Sequence, residues 1–167
     1  MKDNLTASDI KKMQDEIEYR KVTLRHELLE HVKEARAHGD LSENFEYHAA
    51  KRDKNKNESR IRYLERMVKT ANVIDDSSND DEVGINNTVT VEFCDDKSTE
   101  EYKIVTTIRA NSLLGLISIE SPLGKALIKK KVGDIVHVKV DDNIEYDVKI
   151  INIDKTSDDS EDEISKF

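Results

Sequence analysis

The sequence has no tryptophan, one proline, one cysteine and five glycines in 167 residues. A single cysteine, Cys94, excludes an internal disulfide framework and fits a reducing compartment. No run of 18 apolar residues occurs and the N-terminus carries no apolar stretch. Neither a membrane helix nor a secretory signal is therefore expected, and a soluble cytoplasmic protein is. Glycine-rich phosphate loops, a dinucleotide fingerprint and a nucleophile elbow are all missing. Apolar content is 36%, which suits one or two small cores rather than one large core.

Charge is abundant: 38% of residues are ionic and the net charge is −9. Its location matters more than its sum. Asp75–Glu82 contributes −5 and Asp154–Phe167 contributes −4, so the rest of the chain is neutral. Within that remainder, residues 51–74 hold eight basic residues against three acidic ones. Such a stretch reads either as a solvated helix face or as a contact to nucleic-acid phosphates.

The first half is patterned as a helical hairpin. Tyr47, Ala50, Lys54, Asn57, Ile61, Leu64, Val68 and Ala71 keep alternating steps of three and four, the seam of a coiled coil. Ala35, His31, Leu28, Leu24, Lys21 or Arg20, Ile17, Met13 and Ile10 recede from the turn at similar steps. Paired antiparallel, from Ile10 with Ala71 to Ala35 with Tyr47, their residue numbers add to 81 or 82. A constant sum is what a hairpin requires, and half of it puts the apex at Asp40–Leu41. Helix one is expected from Thr6–Ser8 to about His38, ended by Gly39, whose backbone tolerates left-handed angles. Helix two is expected from Ser42 to Val73, a rod of roughly 45 Å at ~1.5 Å per residue. Lys54 and Asn57 weaken the seam but help fix its register.

The expected organisation is a hairpin over 1–74 with its acidic tip at 39–44, an acidic linker at 75–84, a second domain at 85–153 and a disordered acidic tail at 154–167. In the second domain the pattern changes to alternation. Strands are expected at Thr88–Phe93, Glu101–Thr107, Leu116–Ile119, Ile135–Val140 and Ile144–Ile153. Ser121-Pro122 opens one short helix, with serine as the cap and proline in the first helical position. Leu123, Ala126 and Leu127 give it an apolar face, and Gly133-Asp134 turns the chain into the next strand. The fold class is α+β: an N-terminal antiparallel coiled-coil hairpin, then a small antiparallel sheet with one covering helix.

Two carboxylates stand out at the tip. Asp40 and Glu43, three apart, form a capping-box arrangement favoured by the helix dipole. The same spacing lets two carboxylates at a projecting tip share a divalent cation. Mg²⁺ wants six oxygens and keeps several waters, so two side chains need a partner to complete the site. His31, His38 and His48 lack the spacing of a zinc pair and have no cysteine beside them, so surface or seam roles are expected. Tyr47 falls on the seam, whereas Phe45 is expected to be exposed.

The stretch ARAHGDLSENFEYHAAK, residues 35–51, resembles the tip motif of the bacterial Gre transcript-cleavage factors, and EYHAA resembles the GreA branch. SPLGKALIKKKVGDIV, residues 121–136, is similar to the signature of that family's FKBP-like C-terminal domain. Two separated motifs in the right order carry the resemblance over nearly the whole chain. It departs at Asp154–Phe167, which extends beyond the usual family end.

The resemblance implies an elongation factor that docks on RNA polymerase at the rim of the secondary channel and is a monomer. Its coiled coil reaches through that channel to the nascent RNA 3′ end. There Asp40 and Glu43 help the polymerase aspartates hold a second Mg²⁺, which activates a water against a phosphodiester of backtracked RNA. The chain is then no enzyme by itself; it stimulates the polymerase's own hydrolysis. Arg36, Lys51 and Arg52 near the tip are implied contacts to RNA or polymerase. Ser42 and Asn44 either orient the acids or start the helix. Ser121, Pro122 and Leu123 are implied docking residues, although proline and leucine also serve the fold. An FKBP-like fold does not imply prolyl isomerase activity.

Two other functional classes compete. A non-cleaving Gre-like paralogue would occupy the channel and modulate or inhibit polymerase, and the intact Asp40/Glu43 pair argues against it. A chaperone or adaptor clamp would want apolar residues at the tip, where Gly39, Asp40, Ser42 and Glu43 stand instead.

Overall fold

A computed structural model describes residues 2–39, 44–155 and 158–166. The chain divides into two compact units, one built on Asp9–Ala71 and the other on Asn4–Ser8 with Asn72–Lys166.

The first unit is the hairpin. Helix α1 spans Ala7–Tyr19, a π-helical turn spans Arg20–Leu24, α2 spans Arg25–Arg36, and α3 spans Phe45–Thr70. One uninterrupted helix to His38 was expected; the run instead passes through the π turn and ends at Arg36. A π turn holds more residues than an α turn and advances the face that follows it. The buried positions on α2 are Val32 and Ala35: Ala35 keeps its expected seam place, whereas Val32 takes the place that spacing assigned to His31, which is exposed. Arg20 rather than Lys21 is the half-buried member of its pair. On α3 the eight seam positions are all buried or half-buried, from Tyr47 to Ala71.

Polar groups fill the seam beside the π turn. Asn57, 3% exposed, donates to the Arg20 carbonyl at 3.2 Å, and the Arg20 guanidinium donates to Asn57 Oδ1 at 3.0 Å. Glu16 accepts from Arg20 at 2.7 Å and from Arg60 at 2.8 Å. Arg25 grips Glu58 with both forks, and Lys21 pairs with Glu65. Burial works to raise the Glu16 pKa, but the hydrogen bonds from Arg60 and Arg20 outweigh it and hold the carboxyl below its ordinary value.

In the second unit β1 (Asn4–Leu5) pairs parallel with β2 (Asn72–Val73), a contact the sequence pattern does not announce. The main sheet has five strands: β3 (Thr88–Phe93), β4 (Thr99–Val105), β5 (Leu116–Ser118), β6 (Ile135–Lys139) and β7 (Glu145–Asp154). Their order is β5-β4-β3-β7-β6. All neighbours are antiparallel except β4 and β5, which run parallel from Lys103–Leu116 to Val105–Ser118. Alternate residues of each strand point one way, so Val89, Val91, Val136, Val138, Val148 and Ile150 share one apolar face. Helix α4 (Pro122–Leu127) covers that face with Leu123 and Leu127.

The stretch assigned to the linker, and the described residues 158–166 of the stretch assigned to a disordered tail, make contacts with this unit. Val83 is fully buried in the core, and the Lys155 ammonium donates to Ser78 Oγ and to the carbonyls of Asn79 and Glu82. One cation thus gathers the acidic segment onto the end of the sheet. The tail is tied down at Asp158, Asp162 and Ser165. Low apolar content predicts disorder only when no opposite charge is waiting, and here Lys103 and Arg109 wait for it.

Candidate functional site at the hairpin apex

Asp40, Ser42 and Glu43, the sequence-predicted tip residues, lie outside the described residues. The structure does show what brackets them. Gly39 has φ +119°, the left-handed region that its lack of a Cβ permits, and a Cβ there would meet no atom within 4 Å. Its requirement is conformational rather than steric.

On the far side, Asn44 is the N-cap of α3, where the capping-box reading placed Asp40 and began the helix at Ser42. Asn44 has extended backbone angles, and its Oδ1 accepts from the Tyr47 amide at 3.0 Å. Its Nδ2 donates to the Ala35 carbonyl on α2 at 2.7 Å. One side chain therefore starts one helix and ties it to the end of the other. Of the two roles open to Asn44 in the sequence, this geometry gives the helix start.

Below the cap, Val32, Ala35 and Tyr47 form a small buried cluster with Ala50 against it. Arg36 reaches over the Tyr47 ring, 5.5 Å from its centroid. Its hydrogen bond to the phenol, helped by the nearby charges of Lys51 and Lys54, pulls the Tyr47 pKa below its ordinary value against the opposing effect of burial. Arg36 is thus partly engaged, while Lys51 and Arg52 are exposed on α3. Phe45 is 85% exposed, as expected. His31, His38 and His48 are exposed, and among the described residues no group of three His, Cys, Asp or Glu side chains is placed to hold a metal.

The basic stretch of α3 divides. Arg60 is buried and bonded to Glu16, so it belongs to the hairpin. Lys51, Arg52, Lys56, Arg62, Arg66 and Lys69 remain exposed.

The Ser121–Leu123 segment is also split by the structure. Ser121 Oγ accepts from the Gly124 amide at 3.0 Å and donates to the Ser118 carbonyl at 2.6 Å. Leu123 is in the core and is unavailable for docking while the unit is folded, whereas Pro122 is exposed.

An antiparallel helical hairpin with two acids in the sequence of its turn, followed in the chain by a five-stranded sheet with one covering helix, defines a two-unit hairpin-and-sheet protein. Residues 4–73 match the N-terminal domain model of transcription elongation factors GreA and GreB, and residues 77–155 match their C-terminal domain model. The chain belongs to the GreA/GreB family of transcription elongation factors. It is 45% identical over 152 residues to GreA of Thermoanaerobacter pseudethanolicus, covering 90% of this chain and 96% of that protein. GreA of Chloroherpeton thalassium is 42% identical over 151 residues, covering 89% and 96%. A solved structure of the transcription factor Gfh1 aligns over 92% of this chain and 97% of that one, at 23% identity and a TM-score of 0.45, too loose a likeness to argue from.

Proposed function

We propose that this chain rescues arrested transcription by stimulating RNA polymerase to cleave backtracked nascent RNA. The sheet unit docks on the polymerase at the rim of its secondary channel, with exposed Pro122 at the contact. The hairpin enters the channel and presents Asp40 and Glu43 to the active site. The observation that carries this reading is a pair of acids in the turn of a helical hairpin, within a chain 42–45% identical to factors named for transcription elongation.

Two carboxylates cannot fill the six positions of Mg²⁺, so the donor set fits an ion shared with carboxylates of the polymerase. Bound there, Mg²⁺ would supply Lewis-acid activation of the attacking water. The chain's own residues position that site. Asn44 holds the start of α3 to the end of α2, Gly39 takes the left-handed backbone angles at the end of the first run, and the polar seam fixes the register of the two helices. Exposed Lys51 and Arg52 lie where RNA phosphates would pass, and Arg36 contributes charge beside Tyr47.

The test is RNA cleavage by a stalled, backtracked elongation complex in Mg²⁺, comparing wild type with Asp40→Ala/Glu43→Ala. The expected result is prompt release of a 3′ fragment with wild type, lost in the double variant while polymerase binding persists. Binding by wild type without cleavage would replace this reading with that of a channel-occupying modulator. Failure of both would remove the polymerase partner.

A further inference from the structure

Beyond residue 155, where the family's C-terminal model ends, the chain builds a contact that the proposed function does not use. Arg109 is a fully buried arginine in a short turn after β4, and its Nη1 bonds Asn86 Oδ1 at 2.7 Å and Asp162 at 2.9 Å. Lys103 reaches the same Asp162 carboxylate at 2.9 Å and the Asp158 carbonyl at 2.6 Å. Ser165 completes the strap: its amide and its hydroxyl both donate to the Ile108 carbonyl at 2.6 Å. Residues 161–166 then form one wall of a groove of about 740 Å³, with Leu114 and Leu116 on the other wall and Ile164 on the strap side.

The cradle comes from the family-matched part of the chain, and the strap comes from outside it. What it recognises is specific. Two cations take one carboxylate, Lys103 takes a peptide carbonyl, and the Ile108 carbonyl takes the amide and the hydroxyl of one serine three residues after the acid. A phosphate backbone could accept from the two cations, but it offers no amide donor to the Ile108 carbonyl. Leu114, 71% exposed, adds an apolar wall beside the acid site.

We propose that the Lys103–Arg109 cradle is a receptor for an acidic peptide segment with an apolar residue shortly after its acids, and that the chain's own tail occupies it in cis as a removable strap. An acidic segment of a protein partner gains the site only by displacing Asp162. The tail is therefore an internal competitor, and the sheet unit has a peptide-binding surface distinct from the Pro122 corner. This inference holds whether or not the hairpin stimulates cleavage.

The experiment uses the full chain and a fluorescent synthetic peptide with the sequence of residues 156–167. In wild type the tethered strap competes at an effective concentration on the order of mM, so little of the peptide binds at micromolar levels. In Asp159→Asn/Asp162→Asn both carboxylates within 4.0 Å of the Arg109 guanidinium lose their charge, the strap is weakened, and the peptide is expected to bind at least about tenfold more tightly than to wild type. Adding Lys103→Gln to that variant should abolish the gain, with an unchanged circular dichroism spectrum showing that the sheet persists. Arg109 is left intact because it is buried. Equal binding to wild type and to the released variant, or binding to neither, overturns the proposal. So does a lowered thermal midpoint without peptide capture, since that makes the strap a fixed part of the fold. Capture of a single-stranded RNA oligomer in place of the peptide overturns the peptide assignment.

Discussion

Asn57 on α3 and Arg20 on the opposite helix exchange hydrogen bonds in both directions: the amide donates to the carbonyl at 3.2 Å and receives the guanidinium at 3.0 Å. The Arg20 carbonyl lies at the start of the π turn, where the regular α-helical pattern of backbone pairing is broken. A seam residue that looks like a packing fault thus accepts and supplies what the irregular turn needs. It also specifies one register, because sliding either helix by a single turn separates the pair.

Removing that amide should cost more than removing a methyl group. Asn57→Ala removes both bonds across the seam, leaving the Arg20 guanidinium with Glu16 alone and the Arg20 carbonyl with the Arg25 amide alone, a loss of about 1–3 kcal/mol for two such bonds. The expected result is a lower thermal midpoint of the helical signal by circular dichroism. Asn57→Leu should restore apolar burial yet loosen register, giving broader melting at similar helicity.

The Glu16 carboxylate supplies an acid limb to the hairpin's stability. Its folded pKa is depressed below the ordinary 4.5. A depressed carboxyl contributes stability that is present above the unfolded pKa and lost as pH falls through the folded value. Urea midpoints should therefore decline between about pH 5 and pH 3 in wild type. Glu16→Gln should start lower at neutral pH and decline less over the same window; parallel curves would remove Glu16 from the account.

Asn44 separates two jobs that its neighbours do not share. Asn44→Ala loses the cap and the tie to Ala35, at about 0.5–2 kcal/mol for the cap alone. Asn44→Asp keeps an acceptor for the Tyr47 amide and loses only the donor to Ala35. Chemical denaturation should rank wild type above Asp above Ala. In the cleavage assay both variants should bind polymerase normally and cleave more slowly, since the two sides of the turn are no longer tied.

Gly124 is required by space. A Cβ there would overlap the Ser118 carbonyl oxygen, to which the Ser121 hydroxyl also donates. Gly124→Ala should destabilise the sheet unit by about 1–3 kcal/mol, as overpacking commonly does. Loss of the near-ultraviolet signal of the sheet's tyrosines at lower urea, with hairpin helicity unchanged, is the check.

These cases also show what was legible in the sequence. The seam of α3 was readable because period governs burial on a long rod, and Tyr47, Asn57, Ile61 and Leu64 all obey it. The α4 start was readable because Ser121-Pro122 satisfies local geometry by itself. The parallel β4–β5 edge and the β1–β2 pair were hidden, since both join residues whose partners no local pattern names. Asn44 was read as one of several polar tip residues because its second bond, to Ala35, exists only after the hairpin closes. The tail's contacts are hidden for a similar reason: its acids look unpartnered until the fold brings Lys103 and Arg109 to them. Period and caps are local properties, whereas charge pairing is a property of the finished topology.

Phe45 stands 85% exposed in the first turn of α3, next to the Asn44 cap, in a chain that has no tryptophan at all. That combination makes the apex optically addressable. Phe45→Trp would install a sole indole where a side chain already projects into water, with only tyrosine emission behind it. Free in solution its fluorescence should be red-shifted and readily quenched by iodide. Entry of the apex into a confined channel would shift it blue and shield it, so the approach of the tip could be timed directly by stopped flow, separately from any RNA cut.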